Sequence, residues 1–480
     1  MLRYIPFLFL VVFISCKSRP KGEALAAKYC SSCHMAVSPA LLDKDTWLKH
    51  VLPAMAPKLG IGVWEDDKYY PGKGGISMAE WNEIVNYYRE LAPDSLKAAT
   101  PVLKADTDYF AVHVPVEEDD TIYRATTTMV SIDPYTGRVY SSAENGHIAA
   151  LYKWEGVQSQ KVLDLQSTGV DLNWIAPDTG ILTCIGNLRA VDQLSGVIWR
   201  VTPLSPEEEK VHTIAMGLPR PVQTIPFGKE YICLGFGHKS GGLYLLNEET
   251  RQTIRDVPGA IHAETGDFNH DGYPDLMALF AYDDEGIWLF LNDKKGGFKS
   301  ENLLRFPPVY GSTSFQLADL NRDGNLDIIY TAGDNGDYSM ILKPYHGVYV
   351  FLNKGNFKFD VDKPDFFYPV NGCTRVIAAD FDQDGDLDLA TIAFFADLKN
   401  NPAEKFIYFE QKKFLSFEPH VVAGLASQGR WLCMAAGDYD RDGDLDLVLG
   451  SYSRGFIIQD GYEPAWDIHT PFVLLENKKK

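Results

Sequence analysis

The spacing of hydrophobic and polar residues changes partway along the chain and divides it in two. An apolar run from Ile5 to Ile14 follows Arg3. It is shorter than the ~20 residues a bilayer span needs, so it reads as the core of an export signal. Residues 23–29 are helix formers, and Asp45 is expected to cap a second short helix through Trp47 and Val51. Ser77 and Glu80 form a capping box ahead of Trp81, Ile84, Val85, Tyr88 and Leu91, which share one helical face before Ala92-Pro93 stops it. Further on, the pattern is that of strands. Short apolar segments recur around Ile148–Tyr152, Val197–Val201, Leu243–Leu246, Ile287–Leu291, Val348–Leu352, Phe406–Phe409 and Phe472–Leu475. Several are preceded by glycine (Gly242, Gly286, Gly347) and followed by asparagine (Asn247, Asn292, Asn353, Asn477). Seven such units predict a seven-bladed propeller of four-stranded blades. Tyr109–Val114 is a strand without a blade of its own, and it is expected to close the ring by pairing with the last blade.

Composition narrows the classes. Hydrophobic content of 45% and aromatic content of 12% over 480 residues exclude a mainly disordered chain. A formal charge of −20 argues against nucleic acid or anionic lipid as a partner. Four of the 7 cysteines, Cys184, Cys233, Cys373 and Cys433, lie in apolar strand-like stretches. They are expected as buried thiols, with a disulfide between neighbouring blades as the alternative.

Cys30-Ser31-Ser32-Cys33-His34 carries the first candidate chemistry. Two thioether-forming cysteines followed directly by an iron-ligating histidine read, in an exported chain, as a covalent haem site. A redox dithiol or half a zinc site needs the same pair, but no second Cys-x-x-Cys completes a zinc site. Helix, haem loop, helix and terminal aromatic helix over residues 23–93 resemble a small all-α cytochrome c. The resemblance implies haem c held by Cys30 and Cys33, with His34 as proximal ligand. For the distal ligand, Met35 adjoins His34 and cannot reach the opposite face of the ring, while Met78 lies in the first turn of the terminal helix. Met55 is expected in a non-helical, proline-bracketed loop, Leu52-Pro53-Ala54-Met55-Ala56-Pro57, and is the expected ligand. His50 or an open position is the alternative.

Phe13-Ile14-Ser15-Cys16 resembles a bacterial lipobox. The resemblance implies lipidation of Cys16, with residues 1–15 as signal peptide and 16–22 as a tether. The basic tether lacks an acidic run, which favours the periplasmic face of a bacterial membrane.

A nine-residue motif repeats four times, at intervals of 52 to 61 residues, with acidic or amide residues at positions 1, 3, 5 and 9 and glycine at 6. The copies carry Asp267, Asn269, Asp271 and Asp275; Asp319, Asn321, Asp323 and Asp327; Asp380, Asp382, Asp384 and Asp388; and Asp438, Asp440, Asp442 and Asp446. Alternating oxygen ligands and a sharp turn suit calcium, up to four Ca²⁺ in all. Position 12 lacks the glutamate of an EF-hand, and strand-like residues follow. Asp-Gly turns also form without metal. The motif resembles the FG-GAP or VCBS repeat of integrin α-chain propellers, which implies a loop joining two strands of a blade and a structural role for the ion.

The expected organisation is a small all-α cytochrome c domain (23–93), a short external linker (94–105) and an all-β seven-bladed propeller (106–480). His262, Ser314, Arg375 and Cys433, with Arg220, Arg430 and Trp431 nearby, are expected at the central channel, where a small anionic ligand would bind. The expected function is that of a membrane-anchored periplasmic electron carrier, more than a stand-alone enzyme, whose propeller docks a redox partner or ligand. The alternatives are a quinohaemoprotein-like dehydrogenase with its substrate in the channel, and a binding or adhesion propeller with an auxiliary haem.

Overall fold

The computed structural model describes residues 21–65, 68–72, 74–106, 109–115, 124–145, 148–156, 158–206, 210–336, 340–455 and 463–478. The expected signal peptide and Cys16 lie outside the described residues. The chain forms two compact units. One comprises the described residues up to Ser32 together with Ser38–Asp94, the other Cys33–Val37 together with the described residues from Ser95 onward.

In the first unit, helix Lys21–Cys30 packs on helix Met78–Leu91. Gly22 makes the close approach possible, because a Cβ there would stand 2.4 Å from the Glu83 carbonyl oxygen and 2.5 Å from the Tyr87 Cβ. The capping box is present: Ser77 Oγ accepts from the Glu80 N–H at 3.2 Å, and the Ser77 N–H donates to Glu80 Oε2 at 3.1 Å. Trp81, Ile84 and Tyr88 are buried as the helical spacing requires, and Trp47 packs on Tyr88 with ring centroids 4.3 Å apart. Leu91 is exposed, contrary to expectation, because it falls in the last turn beyond the packed stretch.

Asp43, and not Asp45, caps the second helical stretch, accepting from the Thr46 N–H at 2.7 Å. That stretch continues through a π-helical turn, Trp47–Val51, into helices Leu52–Met55 and Pro57–Leu59. The expected non-helical loop around Met55 is therefore helical. Pro53 and Pro57 each stand at the start of a helical segment, where a missing N–H removes no bond, so they begin turns here instead of breaking them.

The second unit is a seven-bladed propeller. Blades 1 to 7 occupy residues 127–165, 169–218, 221–255, 260–305, 312–369, 373–422 and 431–477, each an antiparallel meander running outward from the central channel. Strand Phe110–His113 completes blade 7, pairing antiparallel with Phe472–Asn477 from Phe110↔Asn477 to His113↔Leu474. The predicted closure is thus present. Blade 6 carries an unexpected fifth strand: Lys104–Asp106 pairs in parallel with Ser416–Val422 and covers its free edge. The segment expected to be an external linker lies along the propeller, with Tyr368 Oη donating to the Val102 carbonyl at 2.6 Å and Asn371 Nδ2 to the Ala99 carbonyl at 3.1 Å.

Second strands are buried throughout in blades 4 to 7, where each is covered on both faces. The inner strand of every blade carries a bulge near its start, as at Ala260/His262, Cys373/Arg375 and Trp431/Cys433. Cys184, Cys233, Cys373 and Cys433 are free thiols, the first three of them buried.

Candidate calcium loops, haem motif and axial channel

Each nine-residue motif joins the inner strand of its blade to the second strand, in blades 4, 5, 6 and 7. Glycine at position 6 is required by conformation: φ is 84°, 86°, 97° and 96° at Gly272, Gly324, Gly385 and Gly443. The backbone wraps around the side chains. Position 1 accepts from the N–H of position 6 in all four loops, at 2.9 Å in blades 4 and 5, 3.1 Å in blade 6 and 3.2 Å in blade 7. Position 3 accepts from the N–H of position 5, at 3.0 Å in blades 4 and 5 but 3.3 and 3.2 Å in blades 6 and 7.

The two pairs of loops differ in charge. In blade 6 the carboxylates of Asp380, Asp382 and Asp384 bring oxygens within 4.8 Å of one another, and so do Asp438, Asp440 and Asp442 in blade 7. Position 7 adds another acid to each, Asp386 and Asp444, which the motif reading left out. Asp380 Oδ1 and Asp386 Oδ1 are buried without a hydrogen-bond partner. Burial, and then the like charge of Asp384, raises the Asp382 carboxyl above the usual range. Blades 4 and 5 hold asparagine at position 3 and compensate locally. Lys294 Nζ lies 3.2 Å from Asp271 Oδ2, and with the neighbouring N–H groups it outweighs burial and holds Asp271 low. Asn325, through backbone and side chain, holds Asp323 low. The donor sets of blades 6 and 7 fit a hard divalent cation, and Asp380 Oδ1 is an acceptor that no protein donor meets.

Position 9 does something else. Asp275, Asp327, Asp388 and Asp446 are fully buried and point into backbone. One oxygen accepts the N–H of a residue at or near the end of the third strand: Asn292 at 2.8 Å, Asn353 at 2.8 Å, Gln411 at 2.8 Å and Asn477 at 2.9 Å. The side chain of that same Asn or Gln donates back to the carbonyl of position 8. The aspartate and the amide residue near the end of the third strand, two separate signals in the sequence, form one pin between loop and blade. A further device was invisible in the pattern. Position 4 is left-handed in every loop, and in blades 5, 6 and 7 its side chain reaches the next blade: Arg322 to the Gly385 carbonyl, Gln383 to the Gly443 carbonyl at 3.3 Å, and Arg441 to the Tyr135 carbonyl at 3.1 Å.

A third acidic group, Glu410, Glu418 and His420, is compensated by lysines: Lys412 pairs with Glu410, and Lys104 with Glu418 at 2.7 Å.

Of the haem motif, Cys30 ends the first helix half-buried, and Cys33 is exposed. His34 Nδ1 lies 2.7 Å from the Met35 carbonyl oxygen. An Nδ1–H donated there fixes the tautomer and leaves the Nε2 lone pair as the ligating one. Met55 is half-buried at the end of its helix, whereas His50 and Met78 are exposed.

Along the channel, side chains of one inner strand cap the free backbone edge of the next. Asp171 accepts from the Thr224 N–H at 3.0 Å and Gln223 from the Ala263 N–H at 2.8 Å. Glu264 accepts from the Leu317 N–H at 3.2 Å and Gln316 from the Ala378 N–H at 2.7 Å. Arg375 occupies the position in blade 6 that Asp171 and Gln223 occupy in theirs, but it has no acceptor atom and stays exposed to the channel. Burial lifts Asp171 to about 6 and Glu264 to about 7, and the Arg375 charge opposes both shifts. Burial drops His262 to about 3, so it is neutral near pH 7. Arg220, Arg430 and Trp431, expected near the channel mouth, are buried instead. Arg220 is held by the Asn187, Leu188 and Gly237 carbonyls, and Arg430 donates to the Phe394 carbonyl at 2.9 Å while stacking on its ring.

The profile of the FG-GAP-like repeat matches residues 267–330, the loops of blades 4 and 5 with the strands between them. The chain is similar to cartilage acidic protein 1 of Mus musculus, 34% identical over 136 residues. Those residues are 28% of this chain and 20% of the relative. The protein of the same name from Homo sapiens is 33% identical over 136 residues, 28% of this chain and 19% of the relative. The chain thus matches about a fifth of the length of these curated relatives. Among solved structures, it is similar to the WD40 beta propeller domain of Doa1, at 10% identity and TM-score 0.44 over 77% of this chain and 97% of that one. It is also similar to Saccharomyces cerevisiae Sqt1, at 8% identity and TM-score 0.45 over 78% of this chain and 99% of that one.

Proposed function

We propose that the protein is an exported, lipid-anchored electron carrier in which a haem c unit is joined to a calcium-stabilised docking propeller. The observation that carries the reading is the Cys30-Ser31-Ser32-Cys33-His34 sequence with His34 Nδ1 engaged by the next carbonyl, which orients the other ring nitrogen as a ligand. Cys30 and Cys33 would hold the porphyrin by thioether bonds, and His34 would be the proximal ligand. Met55 would be the distal ligand, and its thioether would raise the potential. Bound haem supplies one-electron chemistry. The chain's own contribution is a rigid frame, with Trp47, Trp81, Ile84 and Tyr88 closing an apolar core.

Calcium would be held by Asp380, Asp382 and Asp384, and by Asp438, Asp440 and Asp442, with the loops of blades 4 and 5 as weaker sites. Its role would be structural, since the loops join strands within a blade. Four ions would bring the formal charge of −20 to about −12. Docking falls to the propeller, the part with an FG-GAP-like repeat. A small anionic ligand in the channel would find Arg375 as its anchor, with Asp171 and Glu264 restricting which anions fit.

A reduced-minus-oxidised absorption spectrum of protein matured in a haem-c-competent periplasm tests the reading. A c-type spectrum lost in Cys30→Ser with Cys33→Ser supports it, and disappearance of the methionine-to-iron band in Met55→Ala assigns the distal ligand. Protein without covalent haem under those conditions would overturn the electron-carrier reading and leave a calcium-binding propeller.

A further inference from the structure

Between the outer strands of blades 3 and 4 stands a group of hydrogen-bond donors with nothing to donate to. Arg255 ends the outermost strand of blade 3. Its guanidinium carbon lies 3.6 Å from the centre of the Trp288 ring and 4.3 Å from that of Phe280, both in blade 4. The stacking covers the face of the guanidinium and leaves its N–H groups free to donate in its plane, and Arg255 Nη1 is buried without a hydrogen-bond partner. Trp288 Nε1 is also buried and unpartnered. So is Nδ2 of Asn302, the residue directly across from Trp288 on the next strand. The Asn302 amide rests over Gly286, two residues before Trp288 and on the same face of the strand. A Cβ at Gly286 would stand 3.1 Å from Asn302 Nδ2.

The nearest acid does not answer these donors. Asp284 is taken by Arg305, whose Nε donates to it. Burial lowers Arg255 to about 10, the shift of a guanidinium that gains little from a counter-charge. Three buried N–H groups from Arg, Trp and Asn, with no acceptor beside them, are costly for the protein alone. In a chain of formal charge −20 the arrangement is local and runs against the overall field.

We propose that this group of donors binds a small carboxylate. Arg255 takes both oxygens edge-on, the geometry in which a planar guanidinium matches a planar carboxylate, while Trp288 Nε1 and Asn302 Nδ2 donate to the remaining lone pairs. The site is separate from the channel, the calcium loops and the haem motif, and it stands whether or not those readings hold.

Tryptophan fluorescence of the full-length protein, titrated with sodium acetate at constant ionic strength, tests it. A saturable change is expected because an anion at Arg255 alters the charge stacked on Trp288. The change should vanish in Trp288→Phe, and the apparent affinity should weaken about tenfold or more in Arg255→Gln. Arg255→Lys, which keeps the charge but not the fork, should fall between. Sodium sulfate should bind less tightly than acetate. Circular dichroism and thermal melting of each variant would show that the fold is retained. An unsaturable response in the wild type would mean that the three donors are met by water, and it would overturn the proposal. So would unchanged affinity in a folded Arg255→Gln, or sulfate binding more tightly than acetate.

Discussion

The turn between inner and second strand is closed in two ways in this propeller. In blade 1 it is Asp133-Pro134-Tyr135-Thr136-Gly137, and the single buried carboxylate of Asp133 accepts from the Tyr135 N–H at 2.9 Å and from Thr136 Oγ1 at 2.7 Å. It also accepts from the Asp178 N–H of blade 2 at 3.1 Å, and Arg138 Nη1 lies 2.9 Å from each oxygen of Asp178. Donors and charges balance within the protein. In blade 6 the equivalent loop carries Asp380, Asp382, Asp384, Asp386 and Asp388, with no arginine or lysine ion-paired to them among the described residues. A turn with one acid and a nearby cation closes itself. A turn with five acids, one of them buried in backbone, satisfies its N–H groups but keeps its negative charge, and in the proposed reading a cation from outside would complete it.

The largest effect should come from the position 9 pin of the four acidic loops. Asp388→Ala or Asp446→Ala removes a fully buried acceptor of backbone N–H groups and should cost about 3 kcal/mol in denaturant unfolding, with calcium or without it. Calcium itself comes next. Chelation should lower the stability of the wild type by about 2–3 kcal/mol per occupied site relative to calcium in hundredfold excess over its Kd, and Asp380→Asn with Asp384→Asn should abolish the blade 6 share while leaving that of blade 7. Arg138→Ala should leave the difference intact, since the blade 1 turn does not use the ion.

Acidity sharpens the comparison from another side. Burial lifts Glu285 to about 8, and Glu264 and Glu404 to about 7. Each is raised above its unfolded value, so its contribution is complete below about pH 4.5 and is lost as pH rises through 7 to 8. His262 and His346, depressed by burial, work in the opposite sense, contributing above about pH 6.5 and losing that contribution on acidification. Melting temperature of the chelated protein should therefore fall between about pH 6.5 and 8.5, and Glu285→Gln should flatten the fall. Smaller still is the direct loss in Arg138→Ala, a half-buried ion pair worth about 0.5–1 kcal/mol. Gln383→Ala, which removes one contact between loops, should cost less than about 0.5 kcal/mol.

The number of blades was legible because third strands are short apolar runs bounded by Gly and Asn, and the structure gives both residues a reason. At Gly286 a Cβ would stand 2.3 Å from the Leu304 carbonyl oxygen, and Asn353 is buried where it meets Asp327. The nine-residue loops and the closing strand were legible for the same reason, since each is specified by residues adjacent in sequence. Contacts between distant segments were not. The fifth strand of blade 6 is short and polar, Lys104-Ala105-Asp106, and is set by the free edge it covers. Arg220 and Arg430 look like channel cations until the loops that bury them are in place. The segment around Met55 reads as a loop from sequence because proline is a helix breaker, whereas Pro53 and Pro57 here open helical turns. The donors at Arg255, Trp288 and Asn302 come from three strands and share no local pattern.

Hydrogen–deuterium exchange on the full-length protein, with and without calcium, addresses the division most directly. The account predicts that calcium slows exchange in peptides covering 380–388 and 438–446, less so in 267–275 and 319–327, and leaves 133–138 and 177–180 unchanged. Uniform protection of all seven blades, or no protection at 380–388 and 438–446, would contradict it.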